Sequence, residues 1–223
     1  MIELRGASYG YAGDDLLKDL SLALQPGSFH FLTGPSGSGK TTLLKLLYGE
    51  LVPTSGEVLL FGRPTSALSR DDIARSRRRV GVVHQDCQFL DHLSLRENLC
   101  LPLDVSGVPV TDAEVDELLA WVGLAARSAA LPPSLSGGER QRAALARAVI
   151  MSPDVLLADE PTGNIDWDMS LRLLRLLVEL NRMGKAILVA THDLNLIRAA
   201  KSQLSARVLR IAGGRLQLAG ADL

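Results

Sequence analysis

The chain has 223 residues, 47% of them hydrophobic, which suffices for the core of one large domain or of a domain carrying a subdomain. With 24 basic and 25 acidic residues the formal charge is −1, so nothing in the overall balance calls for nucleic acid as a partner. The apolar runs are far shorter than the roughly 20 residues that cross a bilayer, and "MIELRGASYGYAGDD" has no basic stretch leading into an apolar one. Neither a membrane span nor an export signal is expected, and the chain is placed in the cytosol.

The elements follow in order. "IELRGASY", "LSLALQ" and "EVLLFG" alternate as half-exposed strands do, around Gly10, Gly13, Pro26-Gly27 and Gly56. "SFHFLTG" (Ser28 to Gly34) is a compact apolar strand that ends in glycine. A helix is predicted over Lys40 to Gly49, with Leu43, Leu44, Leu46 and Leu47 on its buried side. Arg70, Arg75, Arg77, Arg78 and Arg79 form the one basic cluster and are read as a solvated helix end. "RVGVVHQ" (Arg79 to Gln85) is again a buried strand.

From about Asp86 to Ser152 the pattern turns helical, as in "DAEVDELLAWVG" and "GERQRAALARAVIM", with prolines between the pieces. Then come a strand, "DVLLADE" (Asp154 to Glu160), an amphipathic helix (Met169 to Gly184) and again a strand, "KAILVATH" (Lys185 to His192). Continuously apolar strands alternating with helices predict a parallel sheet covered on both faces, with the helical middle inserted into it. Cys87 and Cys100 lack metal-site spacing and are read as plain thiols.

"GPSGSGKTT", Gly34 to Thr42, fits the phosphate-loop pattern between a strand and a helix. Glycines let successive N–H groups point at one anion, and the helix beginning near Lys40 adds the positive end of its dipole. Lys40 suits the β- and γ-phosphates, and the Thr41 hydroxyl suits Mg²⁺. "VLLADE" ends a buried strand in two carboxylates, which need a cation or a proton to justify them. Asp159 would hold Mg²⁺ through water and Glu160 would activate the attacking water, unless the pair is an acidic helix cap. In "LSGGERQ", Ser136, Gly137 and Gly138 start a helix and form either a second anion cradle or an ordinary cap.

Taken together, "GPSGSGKT", Gln85, "LSGGERQ", "LLADE", "GNID" and His192 stand in the order and at the separations of the ATP-binding-cassette (ABC) ATPases, which the chain resembles over nearly its whole length. The resemblance implies an α/β fold: a P-loop NTPase (RecA-like) core with a mostly parallel sheet, an N-terminal antiparallel β-subdomain and an inserted α-helical subdomain. Residues 1–85 and 153–223 would form the catalytic core with its β-subdomain, and 86–152 the helical signature subdomain, in one domain spanning 1–223. It implies Mg²⁺-dependent ATP hydrolysis in a head-to-tail homodimer, with ATP between Gly34, Pro35, Ser36, Gly37, Ser38, Gly39, Lys40, Thr41 and Thr42 of one copy and Ser136, Gly137, Gly138 and Glu139 of the other. Tyr11 would stack on adenine, Gln85 would link the γ-phosphate and Mg²⁺ to the helical insertion, His192 would contact the γ-phosphate, and Asp166 would lie at the dimer interface.

"DEPTGNID" and "HQDCQFLDHLSLRENLCLPL" resemble the branch of this family that includes FtsE of bacterial cell division, with Gln85, Asp86, Phe89-Leu90, Asn98 and Pro102-Leu103 matching FtsE most closely. That branch implies a separate integral membrane partner of the FtsX type, a contact with FtsZ, control of peptidoglycan hydrolysis, and a place on the cytoplasmic side of the bacterial inner membrane. Lipoprotein release of the LolD type and export of the MacB type are the alternatives, and a scaffold that binds ATP without turnover is a third.

Overall fold

The computed structural model describes residues 1–11, 14–163 and 165–219, with Tyr11 and Asp14 described in their backbone alone. The N-terminal part holds β1 (Ile2–Tyr11), β2 (Asp14–Leu24), β3 (Phe29–Thr33), α1 (Lys40–Leu47), β4 (Ser55–Leu60), β5 (Arg63–Pro64), α2 (Arg70–Arg77) and β6 (Val80–Val83). Three helices follow, α3 (Leu95–Ser106), α4 (Asp112–Trp121) and α5 (Gly137–Val149). The chain then runs through β7 (Val155–Asp159), α6 (Trp167–Arg182), β8 (Ala186–Ala190), α7 (Leu194–Lys201), β9 (Ala206–Ala212) and β10 (Arg215–Leu218).

Two sheets result. The first is antiparallel, in the order β2-β1-β4-β5; the second runs β10-β9-β3-β8-β7-β6. In the second sheet every pairing is parallel except that of β10 with β9. Every residue of β3, β7 and β8 is buried, which is why these strands read as unbroken apolar runs. On one face Leu43, Leu46 and Leu47 of α1 pack with Leu32, Leu157 and Leu188 of the parallel sheet and with Ile2, Leu4 and Leu20 of the antiparallel one. On the other face Phe31, Leu156 and Val189 meet Leu173 and Leu177 of α6 and Leu196 of α7.

The inserted helices gather around Leu95, Leu99, Val115 and Leu119. Helix α5 serves both cores. Its Ala144, Leu145 and Ala148 belong to the sheet cluster, and its Ala143 and Ala146 to the helical one. The segment entering α3 is pinned by Asn98, fully buried, whose amide donates to the carbonyls of Leu90, Leu93 and Ser94 while its Oδ1 accepts from the Leu90 N–H. Buried amides persist only when their hydrogen bonds are made, and this one makes four. Among the described residues no helix is long and apolar enough to cross a membrane.

The basic cluster is exposed as expected but not idle. Arg77 donates to the carbonyls of Tyr48 (3.2 Å) and Gly49 (2.7 Å), at the end of α1. The Arg79 guanidinium lies 3.7 Å from the centre of the Phe61 ring and donates to Asp154 at 2.7 Å. Helix α6 starts two residues before Met169, where the pattern put it, because the Asp166 carboxylate accepts the Met169 N–H at 2.9 Å and caps it.

Helix α5 lies so close to β6 that a Cβ added at Gly81 would stand 2.2 Å from the Ala148 carbonyl oxygen. Gly81→Ala should therefore cost about 1–3 kcal/mol, as overpacking does, read as a lower denaturation midpoint; a midpoint equal to the parent's would show that α5 is free to move away from the sheet.

Candidate active site

Strand β3 delivers the chain into the loop Gly34 to Gly39, and α1 starts at Lys40. Gly34 and Gly39 have φ of 153° and 98°, and Gly39 caps α1. Both are crowded as well: a Cβ at Gly34 would meet Ser38 Oγ at 2.6 Å, and one at Gly39 would meet Leu17 Cδ2 at 2.7 Å. A side chain at either position would have to displace a neighbour, which adds to the torsional demand for glycine. The Lys40 ammonium donates to the carbonyls of Gly34 (3.0 Å) and Pro35 (3.2 Å) and so lies across its own loop. This loop is one wall of a cavity of about 740 Å³.

The opposite wall comes from the ends of the neighbouring strands. Asp159, the last residue of β7, is 6% exposed and accepts a hydrogen bond from the Thr41 hydroxyl at 2.6 Å. Burial pushes its carboxyl above the usual carboxylate range, and the Thr41 hydrogen bond opposes that rise. Consecutive strand residues point to opposite faces, yet Asp159 and Glu160 both line the cavity. The cause is a turn at Glu160, where φ is 47° and the N–H donates to the Ala190 carbonyl at 2.9 Å. Glu160 Oε1 lies 3.0 Å from His192 Nδ1, while Oε2 is buried without a hydrogen-bond partner in the protein. A carboxylate oxygen left without a partner on a residue that lines the cavity is an acceptor held in reserve. Gln85, two residues past β6, completes this wall.

The cavity thus brings together Gly34, Pro35, Ser36, Gly37, Gly39, Lys40, Thr41, Thr42, Gln85, Asp159, Glu160 and His192. Ser38 is not on its surface: its hydroxyl is buried without a hydrogen-bond partner in the protein. The stacking role given to Tyr11 falls on a side chain outside the described residues. Ser136, Gly137, Gly138 and Glu139 do not line the cavity either. Ser136 caps α5, and a reciprocal pair joins Ser136 N–H to Glu139 Oε2 at 2.8 Å and Glu139 N–H to Ser136 Oγ at 3.3 Å. Asp166 caps α6, as described, so within one copy both act as local caps. Leu16 and Gly163 line the cavity without having been singled out in the sequence. Leu16 lies on β2, which packs against the loop at Gly39 through Leu16 and Leu17, a contact between distant segments that no local pattern reveals.

A buried carboxylate bonded to a hydroxyl, beside a lysine-bearing glycine loop at a helix start, is a nucleotide-phosphate site. The family described as ABC transporter matches residues 17–163. The chain belongs to that family and is one of its ATP-hydrolysing cassettes. It is 42% identical over 202 residues to the cell division ATP-binding protein FtsE of Haemophilus influenzae, covering 89% of this chain and 93% of that one. It is 41% identical over 219 residues to FtsE of Escherichia coli K12, covering 97% of each. Among solved structures, the dimeric post-hydrolysis state of the ATP-binding cassette MJ0796 bound to ADP and Pi superposes with a TM-score of 0.87 at 31% identity, covering 97% of both chains.

Because burial raises the Asp159 pKa, the fold favours the neutral acid. Its contribution to stability is present below the ordinary aspartate pKa and is lost as pH rises through the folded-state value. Above the ordinary aspartate pKa the nucleotide-free protein therefore bears the cost that burial sets on this carboxylate. Asp159→Asn should raise the melting temperature of the nucleotide-free protein at neutral pH, a gain that shrinks on acidification, while hydrolysis falls by about 10²-fold or more. Paired melts at neutral and acidic pH and a phosphate-release assay check both halves.

Proposed function

We propose that this chain is the ATP-hydrolysing subunit of a membrane complex of the FtsE type, working as a head-to-tail homodimer on the cytoplasmic side of the bacterial inner membrane. The observation that carries the catalytic part is that Asp159, bonded to Thr41, and Glu160, whose Oε2 has no hydrogen-bond partner in the protein, line the same cavity. Among the described residues no cluster of three or more His, Cys, Asp or Glu could cage a cation. One carboxylate and one hydroxyl at a phosphate loop are instead the donor set with which Mg²⁺ is shared between protein and substrate phosphates. Thr41, Gln85 and Asp159 would hold it, and when bound it supplies charge neutralisation at the β- and γ-phosphates.

The protein's own groups do the rest. Loop N–H groups from Gly34 to Thr42 bind the phosphates, and Lys40 exchanges its contacts with Gly34 and Pro35 for phosphate oxygens. Glu160 Oε2 accepts a proton from the attacking water as its oxygen bonds to the terminal phosphorus and ADP departs. His192, through its contact with Oε1, holds the carboxylate in place. Ser136, Gly137, Gly138 and Glu139, which do not line their own cavity, would close the site of the second copy, with Asp166 at the interface. Binding across two copies makes the closed dimer depend on intact ATP.

The FtsE likeness supports the division role over lipoprotein release or export, with an FtsX-type partner, a contact with FtsZ and control of peptidoglycan hydrolysis downstream. A groove of about 600 Å³ between β6, α3 and α5 is the place for that partner, lined by His84, Gln88, Leu101, Pro102, Val105 and Arg147 among others. Val105 is 79% exposed there. Cys87 is buried and remains a plain thiol. The core (1–85 and 153–223) and the inserted helices (86–152) would move as two parts of one domain.

Glu160→Gln should keep ATP binding, shift the chain to a dimer with Mg-ATP in light scattering, and lower turnover by about 10²-fold or more; parental turnover would remove Glu160 as the base. A four-helix membrane protein of the FtsX type should co-purify with the native chain from cell membranes and be lost with Val105→Glu. Recovery of a lipoprotein-release complex instead, or of the same partner with the variant, would overturn the division role or the groove respectively.

A further inference from the structure

Immediately after Gln85 the backbone does something costly. Cys87 and Gln88 both have left-handed torsions, with φ of 59° and 39°, and neither is glycine. Local bonds from Cys87 N–H to the His84 carbonyl (3.1 Å) and from Gln88 N–H to the Asp86 carbonyl (2.7 Å) curl the segment. Such a turn persists only when its surroundings over-determine it.

Those surroundings come mainly from one side chain. Arg147, on α5, donates through Nη2 to the Cys87 carbonyl at 2.6 Å and through Nη1 to the Gln88 carbonyl at 2.8 Å. Its guanidinium lies 4.5 Å from the centre of the Phe89 ring. No ion pair among the described residues includes it, so its charge is matched by two carbonyl dipoles and an aromatic face. Nearer the start of the same helix, Gln141, 2% exposed, places its amide 3.5 Å from the Gln85 carbonyl. The helix that carries both begins at the Ser136 cap.

We propose that Arg147 is a positioning residue for ATP hydrolysis: it clamps the 85–88 turn to α5, so that Gln85 in one cavity and Ser136 at the other end of the helix keep a fixed relation. Arg147 and Gln88 also line the groove given above to the membrane partner, so an occupant there bears on the clamp itself. Movement of the turn is then transmitted along a rigid helix to the second cradle, and the reverse. This inference rests on the assignment of Gln85 to the ATP site.

The test uses the full-length chain and Arg147→Lys. Lysine keeps the charge but cannot bridge two carbonyls and stack at once. Expected are a fall in kcat of about tenfold, a KM for ATP within about twofold of the parent, and a higher half-saturating Mg²⁺ concentration, because the phosphate loop is intact while Gln85 wanders. The double variant with Gln141→Leu should lose less than the product of the two single effects, since both groups hold one turn. A folded Arg147→Lys protein with parental kcat and Mg²⁺ dependence overturns the clamp. So does a loss that tracks only the drop in melting temperature, or one that falls on KM alone. Gln85→Ala run beside it separates the two ideas: if that variant keeps parental turnover and Mg²⁺ dependence, the assignment of Gln85 to the ATP site fails, whatever Arg147 does.

Discussion

Parallel pairing is the constraint on which everything else rests. β3, β8, β7 and β6 lie side by side and run the same way, so their carboxyl ends open on one edge of the sheet. Each end delivers one part of the site: the glycine loop after β3, His192 after β8, Asp159 and Glu160 at β7, Gln85 after β6. Parallel strands require a crossover between them, and the crossovers carry the helices that bury the sheet's two faces. Side chains spread over more than 150 positions of sequence meet in one cavity because the hydrogen-bond direction of the strands leaves them nowhere else to go.

At that edge the energetics favour function over stability. A carboxylate at 6% exposure is costly, and the Thr41 hydroxyl offsets part of the cost. The unpartnered Glu160 oxygen and the left-handed turn at the same residue are further unfavourable features concentrated within a few ångströms. The apolar layers on either side of the sheet, with α1 between the two sheets and α6 and α7 opposite, supply the excess that tolerates them.

Helix α5 turns a nucleotide site into a mechanical part. It contributes side chains to two cores, abuts β6 so closely that only glycine fits at position 81, and reaches Gln85 and the following turn through Gln141 and Arg147. Its first turn follows the Ser136 cap, the group proposed above to close the site of a second copy. A rod anchored in this way moves as a unit, because close-packed interiors shift between discrete arrangements and do not deform smoothly.

Much of this was legible in the residues. The phosphate loop is a local object: its glycines, lysine and threonine are contiguous, and their torsional and chemical demands are written at consecutive positions. The buried strands were legible because burial on both faces removes polar residues from the run. Helix α7, of eight residues, and the β9–β10 hairpin were not, since such short pieces carry too few periods to stand out; α2 showed only as the helix end that bears the basic cluster, and α3 has Pro102 inside it. The sequence by itself determined the chemistry available, namely which groups bind phosphate, accept a proton or cap a helix. The tertiary structure alone decided which of them share a cavity. It turned Glu160 to the same side as Asp159, brought Leu16 to the loop, withdrew Ser38, and set Arg147 on the turn after Gln85. Distance in space comes from strand order and packing, which no local pattern encodes.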